Sequence, residues 1–359
     1  MSPRSRALTR TYGVAAAVAS AALAVAVTVA VAAGPVPDRL DRFRELVADR
    51  LSATHVLDTE TAAEAYREAY ALLDEEIVES LASGGIFAST AFLQERLDGF
   101  SDAWGGAAVR IMRIGALTVG VFQLGERQTG NSVRVYGRLR DEAALLTAMA
   151  RDGRPTLYPL SPGPGGVVQF LVAWDEAAST TGARPVRFDV MRHHADGVRL
   201  AWSTAQLYPA PLAARSYAVR GQELRIRYEV RYPGWVYGCE GQTEQEDVYR
   251  LAPGGTYQRV AQRTFDAWHR ELRAITARLF AALEGGDRRA LTALVSDAKL
   301  RERLPARLEA EPVCDAPSGP RGDQVAVAAR DGSGAPWTLT YQRGEGGRWR
   351  LASADPVIQ

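Results

Sequence analysis

Two hydrophobic periods divide the chain. In residues 38–105 apolar side chains recur at steps of three and four, which puts Tyr66, Tyr70, Leu73, Ile77 and Leu81 on one predicted helical face. Asp58 or Thr59 can cap that helix and Gly84-Gly85 can end it. Ser89 opens a further helical segment carrying Phe92, Leu93, Leu97 and Phe100. Between residues 106 and 264 the period falls to two. Val133, Val135 and Leu139 alternate with Arg134 and Arg138, and Val186, Phe188 and Val190 with Arg187 and Asp189. Leu224, Ile226, Tyr228 and Val230 alternate with Arg225, Arg227, Glu229 and Arg231. Such alternation buries one face and wets the other, the habit of antiparallel sheets. Val198, Leu200 and Trp202 follow Ala195-Asp196-Gly197, which predicts a hairpin with residues 186–190. Residues 141–151 interrupt the series as a short predicted helix, and the Pro/Gly run at residues 161–166 reads as a connector.

At Phe265 the helical period returns with Trp268, Leu272, Ile275, Leu279 and Leu283, stopped by Gly285-Gly286. Asp287 is placed to cap a second helix holding Leu291, Leu294 and Val295. A Pro/Gly-rich linker at 312–322 leads to three short strands at 324–330, 337–342 and 348–353. Phe280-Ala281-Ala282-Leu283-Glu284-Gly285-Gly286-Asp287-Arg288-Arg289-Ala290-Leu291, with the closing strand Trp349-Arg350-Leu351, resembles the helix pair and final strand of NTF2-like (cystatin-like α+β) domains. That resemblance covers residues 265–359. It implies an α+β cone, a scaffold found in enzymes, in binding modules and in accessory parts of exported proteins, and no particular activity. The fold class expected for the whole body is α+β: N-terminal helices at 38–105, a central antiparallel β-sheet region at 106–264 and a small C-terminal α+β module at 265–359.

Residues 1–37 read as an address. Arg4, Arg6 and Arg10 precede an uncharged Ala/Val-rich stretch at 14–33 that ends in Ala30-Val31-Ala32 before Gly34-Pro35. Positive, apolar and small residues in that order are the parts of a secretory signal, yet the apolar length also suits a membrane anchor. Either outcome leaves the arginines in the cytoplasm and the body outside it, periplasmic, secreted or anchored to the inner membrane. Membrane contact is expected only through this segment, if it stays uncleaved.

Composition narrows the function classes. The 359 residues carry a net charge of +1, so no global field draws the chain to nucleic acid. Lys299 is the sole lysine, and a GC-rich coding bias accounts for the arginines. There is no G-x-S-x-G elbow, H-E-x-x-H, C-x-x-C or phosphate loop. No catalytic, cofactor or metal residue is assigned, and no cofactor is expected. His193-His194 beside Asp196 reads as a polar turn, because adjacent strand residues face opposite ways. His55 and His269 are isolated and read as structural. Asp74, Glu75, Glu76 and Glu79 read as a solvated helix face, with a cation site as the competing reading. Glu240, Glu244, Glu246 and Asp247 read as a solvated loop rather than calcium ligands, since no calcium-loop spacing accompanies them.

Two features remain. Tyr232, Trp235 and Tyr237 lie in an aromatic-dense stretch and form a candidate ligand surface, for which sheet-end capping is the competing reading. Cys239 and Cys314 are the only cysteines, sit in turn-rich connectors and are expected to form a disulfide in an oxidising compartment. The function expected is a non-enzymatic envelope or periplasmic module that binds an envelope protein or a glycan-like ligand. The competing class is an extracytoplasmic hydrolase of a wall or sugar substrate.

Overall fold

A computed structural model describes residues 38–50, 59–125, 130–318, 323–344 and 346–357. The expected address at 1–37, with His55 and Asp58, lies outside the described residues. Arg39–Gln359 forms one compact unit. Among the described residues no helix is long and apolar enough to cross a membrane.

Three helices come first, α1 (Arg39–Arg50), α2 (Thr59–Ser83) and α3 (Thr90–Ala103). Ser89 caps α3 by accepting the Phe92 N–H at 3.2 Å. The helices cover one face of an antiparallel meander, β1 (Ala108–Ile114), β2 (Leu117–Gln123), β3 (Asn131–Leu139) and β4 (Glu142–Ala150). Leu73, Ile77, Leu97 and Phe100 meet Ile111, Phe122 and Tyr136 in that core, so the predicted stripe on α2 is buried at its centre. The acidic stretch on α2 is not one solvated face. Glu75 and Glu79 are exposed, but Glu76 is buried between Arg39 at 3.4 Å and Arg96 at 2.7 Å. Asp74 pairs with Arg134 and accepts the Tyr136 hydroxyl at 2.7 Å, which fastens the helix to β3.

The second sheet has eight strands: β5 (Arg154–Pro159), β6 (Gln169–Asp175), β7 (Arg184–His194), β8 (Gly197–Ser203), β9 (Leu212–Arg220), β10 (Glu223–Glu229), β11 (Glu244–Leu251) and β12 (Tyr257–Phe265). Their order is β12-β11-β10-β9-β7-β6-β5, with β8 paired to β7 as the Asp-Gly turn predicts. Phe170, Val172 and Trp174 of β6 pack against Val119, Val133 and Val135 of the first sheet. Leu171 and Ala173 point the other way, into a core shared with Phe188, Trp202, Ile226, Tyr249 and Tyr257. The third sheet holds β13 (Leu308–Ala310), β14 (Ala316–Ser318), β15 (Gln324–Asp331), β16 (Pro336–Arg343) and β17 (Trp349–Pro356). It packs under α4 (Ala267–Glu284), α5 (Arg288–Leu294) and α6 (Ala298–Arg303) through Leu272, Leu279, Val327 and Leu339. Asp287 caps α5, accepting the Ala290 N–H at 3.0 Å.

The α+β expectation is corrected: the described chain is β-rich, with seventeen strands in three antiparallel sheets and six α-helices. Two kinds of strand concealed themselves. Residues 141–151, read as a helix, contain β4, whose Glu-Ala-Ala-Leu-Leu sequence favours a helix in isolation. Arg140 and Asp141 both take positive φ, 52° and 67°, the conformation of a two-residue hairpin turn, and the turn returns the chain onto β3. Pairing along the edge of a sheet outweighs the local preference. In β6 both faces are buried, so its apolar residues run on without alternating.

The best-patterned strand, β10, buries Leu224, Ile226 and Tyr228 and exposes Arg225. Arg227 and Glu229, expected in water, are half-buried. Arg215 reaches Glu229 and Glu244, each at 3.1 Å, and Arg227 also meets Glu244, so this face carries an ion-pair ladder. Ile226→Ala should therefore cost about 2–5 kcal/mol and Arg225→Ala less than about 0.5 kcal/mol in a denaturant titration. Equal losses would show that the faces are misassigned.

Candidate functional site

Cys239 and Cys314 are bonded, their α-carbons 5.3 Å apart across a sequence separation of 75. The bond ties the loop after β10 to the segment between β13 and β14. By loop-closure entropy a ring of that length contributes about 4–5 kcal/mol. Next to it a polar cluster is buried. Asp315 meets Arg273 Nε at 2.6 Å and His269 Nε2 at 3.1 Å, and the Tyr232 hydroxyl lies 2.5 Å from His269 Nδ1. One carboxylate is thus held by a guanidinium and an imidazole beside the disulfide, and the group acts as a clasp.

Tyr232 accordingly turns inward, and its hydroxyl also accepts the Thr243 N–H at 3.2 Å. Trp235 and Tyr237 meet edge to face, 6.4 Å between centroids, with the Arg231 guanidinium 5.2 Å over the Trp235 ring. Tyr237 is 60% exposed. The three rings do not present one flat face. Nor are the hairpin-end groups gathered: His193 is half-buried, His194 is exposed, and Asp196 pairs with Arg199.

The acidic group after Cys239 is in the structure a strand rather than a solvated loop. Glu244, Glu246 and Asp247 belong to β11, and Asp247 is fully buried. Its Oδ2 accepts the hydroxyls of Tyr208 at 2.8 Å, Tyr228 at 3.0 Å and Tyr249 at 3.2 Å. Gln245 Nε2 donates to Oδ1 at 2.9 Å, and Arg259 Nη1 stands 3.4 Å from Oδ2. Strand geometry assembles these groups. Gln245, Asp247 and Tyr249 are alternate residues on one face of β11. Tyr228 lies opposite Gln245 on β10, and on β12 Gln262 and Arg259 lie opposite Asp247 and Tyr249. Tyr208 arrives from the turn after β8, where its N–H bonds to the Thr204 carbonyl at 2.8 Å.

This cluster is one wall of an open groove of about 840 Å³. Tyr208, Pro209, Pro211 and Tyr228 supply its apolar surface, and Gln245, Arg259, Gln262, Arg231 and Glu229 its polar groups. Burial raises the Tyr228 and Tyr249 pKa values, as do hydrogen bonds with Tyr208 and the charge on Asp247. Both phenols are therefore donors at neutral pH. Glu176 also borders the groove, and burial followed by the charge of Asp152 raises its pKa. Tyr208, Gln245, Arg259 and Gln262 were missed in the sequence. The alternation Gln245, Asp247, Tyr249 is the available signal, masked by the acidic residues around it, which read as a loop.

No protein-family model matches the chain, and neither does any curated protein. A solved structure of a GH43_12 glycoside hydrolase retrieved from a capybara gut metagenome aligns with 68% of this chain and 41% of that one, at 8% identity and a TM-score of 0.19. The chain thus spans less than half the length of that protein, and a TM-score this low does not establish a common fold.

The tyrosine cluster makes a prediction for alkaline pH. A folded-state pKa raised above the unfolded value near 10 gives stability that is fully present below pH about 10 and is lost as pH rises past it. Phenolate absorbance should show Tyr228 and Tyr249 ionising only as the protein unfolds, and Tyr249→Phe should flatten the alkaline loss of stability. Titration of every tyrosine near pH 10 in folded protein would refute the arrangement.

Proposed function

We propose that this chain is an extracytoplasmic binding protein that holds a glycan-like ligand in the Tyr208–Tyr228 groove. The observation that carries the reading is the saturation of Asp247. A general base or nucleophile needs a free lone pair within reach of substrate. Asp247, buried behind the groove wall, is occupied by three phenols, the Gln245 amide and Arg259. What the groove offers a ligand is aromatic and proline surface beside planar amide and guanidinium groups, a combination suited to a polyhydroxylated chain. The disulfide supports an oxidising location, where such bonds persist. The α4–α5 hairpin and the closing strand β17 support an NTF2-like origin for residues 265–359.

A hydrolase reading has one observation in its favour. Glu176, with a raised pKa, and Glu229, paired with Arg215, border the same groove, and paired carboxylates in unlike environments can divide acid and base roles.

Titration calorimetry with N-acetylglucosamine oligomers and sedimentation with purified wall sacculi test the binding reading. Binding should fall about tenfold or more in Arg259→Ala and several-fold in Gln262→Ala, without release of reducing ends. Absence of binding to both probes, or variants that bind like the wild type, would overturn it. Sugar release abolished by Glu176→Gln would establish the hydrolase instead. The location has its own test. An alkaline phosphatase fusion after residue 60 should be active in cells, and an inactive, fully expressed fusion would place the body in the cytoplasm.

A further inference from the structure

A second cavity, of about 490 Å³, opens where the first sheet meets the end of α2 and the β7–β8 hairpin. Leu81, Ala88, Ala116, Leu117 and Ala143 line it with hydrocarbon. Its polar lining is cationic or neutral, Arg113, Arg138, His193 and Thr118, and among the described residues no acidic side chain lines it. Both arginines bond only to neutral groups. Arg113 donates to the Gly115 carbonyl at 3.3 Å and to the Thr118 hydroxyl at 3.4 Å, and Arg138 donates to the Asp141 carbonyl at 2.7 Å. Among the described residues neither guanidinium forms an ion pair. Each keeps donors for an anion from outside.

The surroundings are apolar in an unusual way. The turn between α2 and α3 lines the cavity through Gly84, Gly85 and Ala88, and between them it exposes Ile86 at 72% and Phe87 at 48%. Water-facing residues of this size, close to an apolar cavity, mark a surface made for a hydrophobic partner. The floor is rigid. Gly115 turns the β1–β2 hairpin at φ 59°, and a Cβ there would lie 2.6 Å from Val168 Cγ2.

We propose that this cleft binds an anionic amphiphile, a single hydrocarbon chain ending in a carboxylate or phosphate, with Arg113 and Arg138 on the anion and the chain along Leu81, Ala88 and Leu117. The volume falls within the roughly 300–1,000 Å³ of small-ligand pockets. The Ile86–Phe87 turn closes over the chain or dips into the bilayer that supplies it. This site is separate from the Tyr208 groove and does not depend on what the groove binds.

The test uses the Arg39–Gln359 unit, so that residues 14–33 add no membrane affinity of their own. Monomeric dodecanoate, below its micelle concentration, is titrated by calorimetry beside its methyl ester. Phosphatidylcholine vesicles with and without phosphatidylglycerol form the second arm, read by co-sedimentation. Dodecanoate should bind one per chain, and its methyl ester about tenfold or more weakly. The exposed-site variant Arg113→Ala/Arg138→Ala should lose about tenfold or more while keeping the wild-type circular dichroism. Phe87→Ser should weaken binding with both arginines present, and Gln262→Ala should leave it unchanged. Monomer binding identifies a free amphiphile as the ligand. Binding to anionic vesicles alone, lost in the same variants, identifies a bilayer lipid. No binding in either arm, equal affinity for the methyl ester, or an arginine variant that binds like the wild type overturns the proposal.

Discussion

The first two sheets are joined through one strand buried from both sides. β6 presents Phe170, Val172 and Trp174 to the first sheet and Leu171 and Ala173 to the core of its own. A strand in that position has no face left for water, and each sheet needs the other to bury it. Asp189 of β7 pins the same junction. Its carboxylate is fully buried and accepts the Trp174 indole N–H at 3.1 Å and the Arg151 guanidinium at 2.8 Å. A carboxylate so placed is tolerable only because both donors reach it, and the donors come from β6 and from the end of the first sheet. The packing of two sheets and the placing of one charge are thus a single constraint.

The same logic recurs twice with different consequences. At the clasp, Asp315 is surrounded by Arg273, His269 and, through the imidazole, Tyr232, all buried beside the disulfide. The cluster is buried and spans the join between the second sheet and the C-terminal module. At the groove, Asp247 is equally buried, but its donors are long side chains whose rings and forks continue into an open space. A buried anion there organises a surface instead of a seam. Where guanidinium groups lack such an anion, as at Arg113 and Arg138, the surface is left with charge to offer. The protein's chemistry is therefore arranged by where carboxylates are absent as much as by where they are.

Some of this was legible in residue order. Ser89 and Asp287 before apolar runs are helix starts whatever surrounds them, because a short oxygen acceptor satisfies the first free N–H groups locally. The alternation at Leu224, Ile226 and Tyr228 marks a half-buried strand, and two cysteines in turn-rich connectors suit a bond. The amphipathic stripe Leu272, Leu279 and Leu283 needs one apolar neighbour and finds it in the third sheet. These are short-range facts, set by period, capping and parity within the sequence.

Other features have no local signature. Residues 142–150 would favour a helix alone and become a strand only because β3 has an edge to pair and Arg140-Asp141 turn the chain onto it. The continuous apolar run of β6 is compatible with helix or strand until a sheet lies on each side of it. The groove joins Tyr208, Tyr228, Asp247 and Arg259, and the clasp joins Tyr232 to Asp315; separations of dozens of residues are closed only by strand register and chain crossing. Residue order specifies the helices capped at Ser89 and Asp287, the best-patterned strands and the means of the covalent tie, since each depends on neighbours within a turn or a pleat. Which buried charges find partners, and which cavities are left lined with unmatched ones, was decided by the tertiary structure, because electrostatic compensation is a property of positions in space.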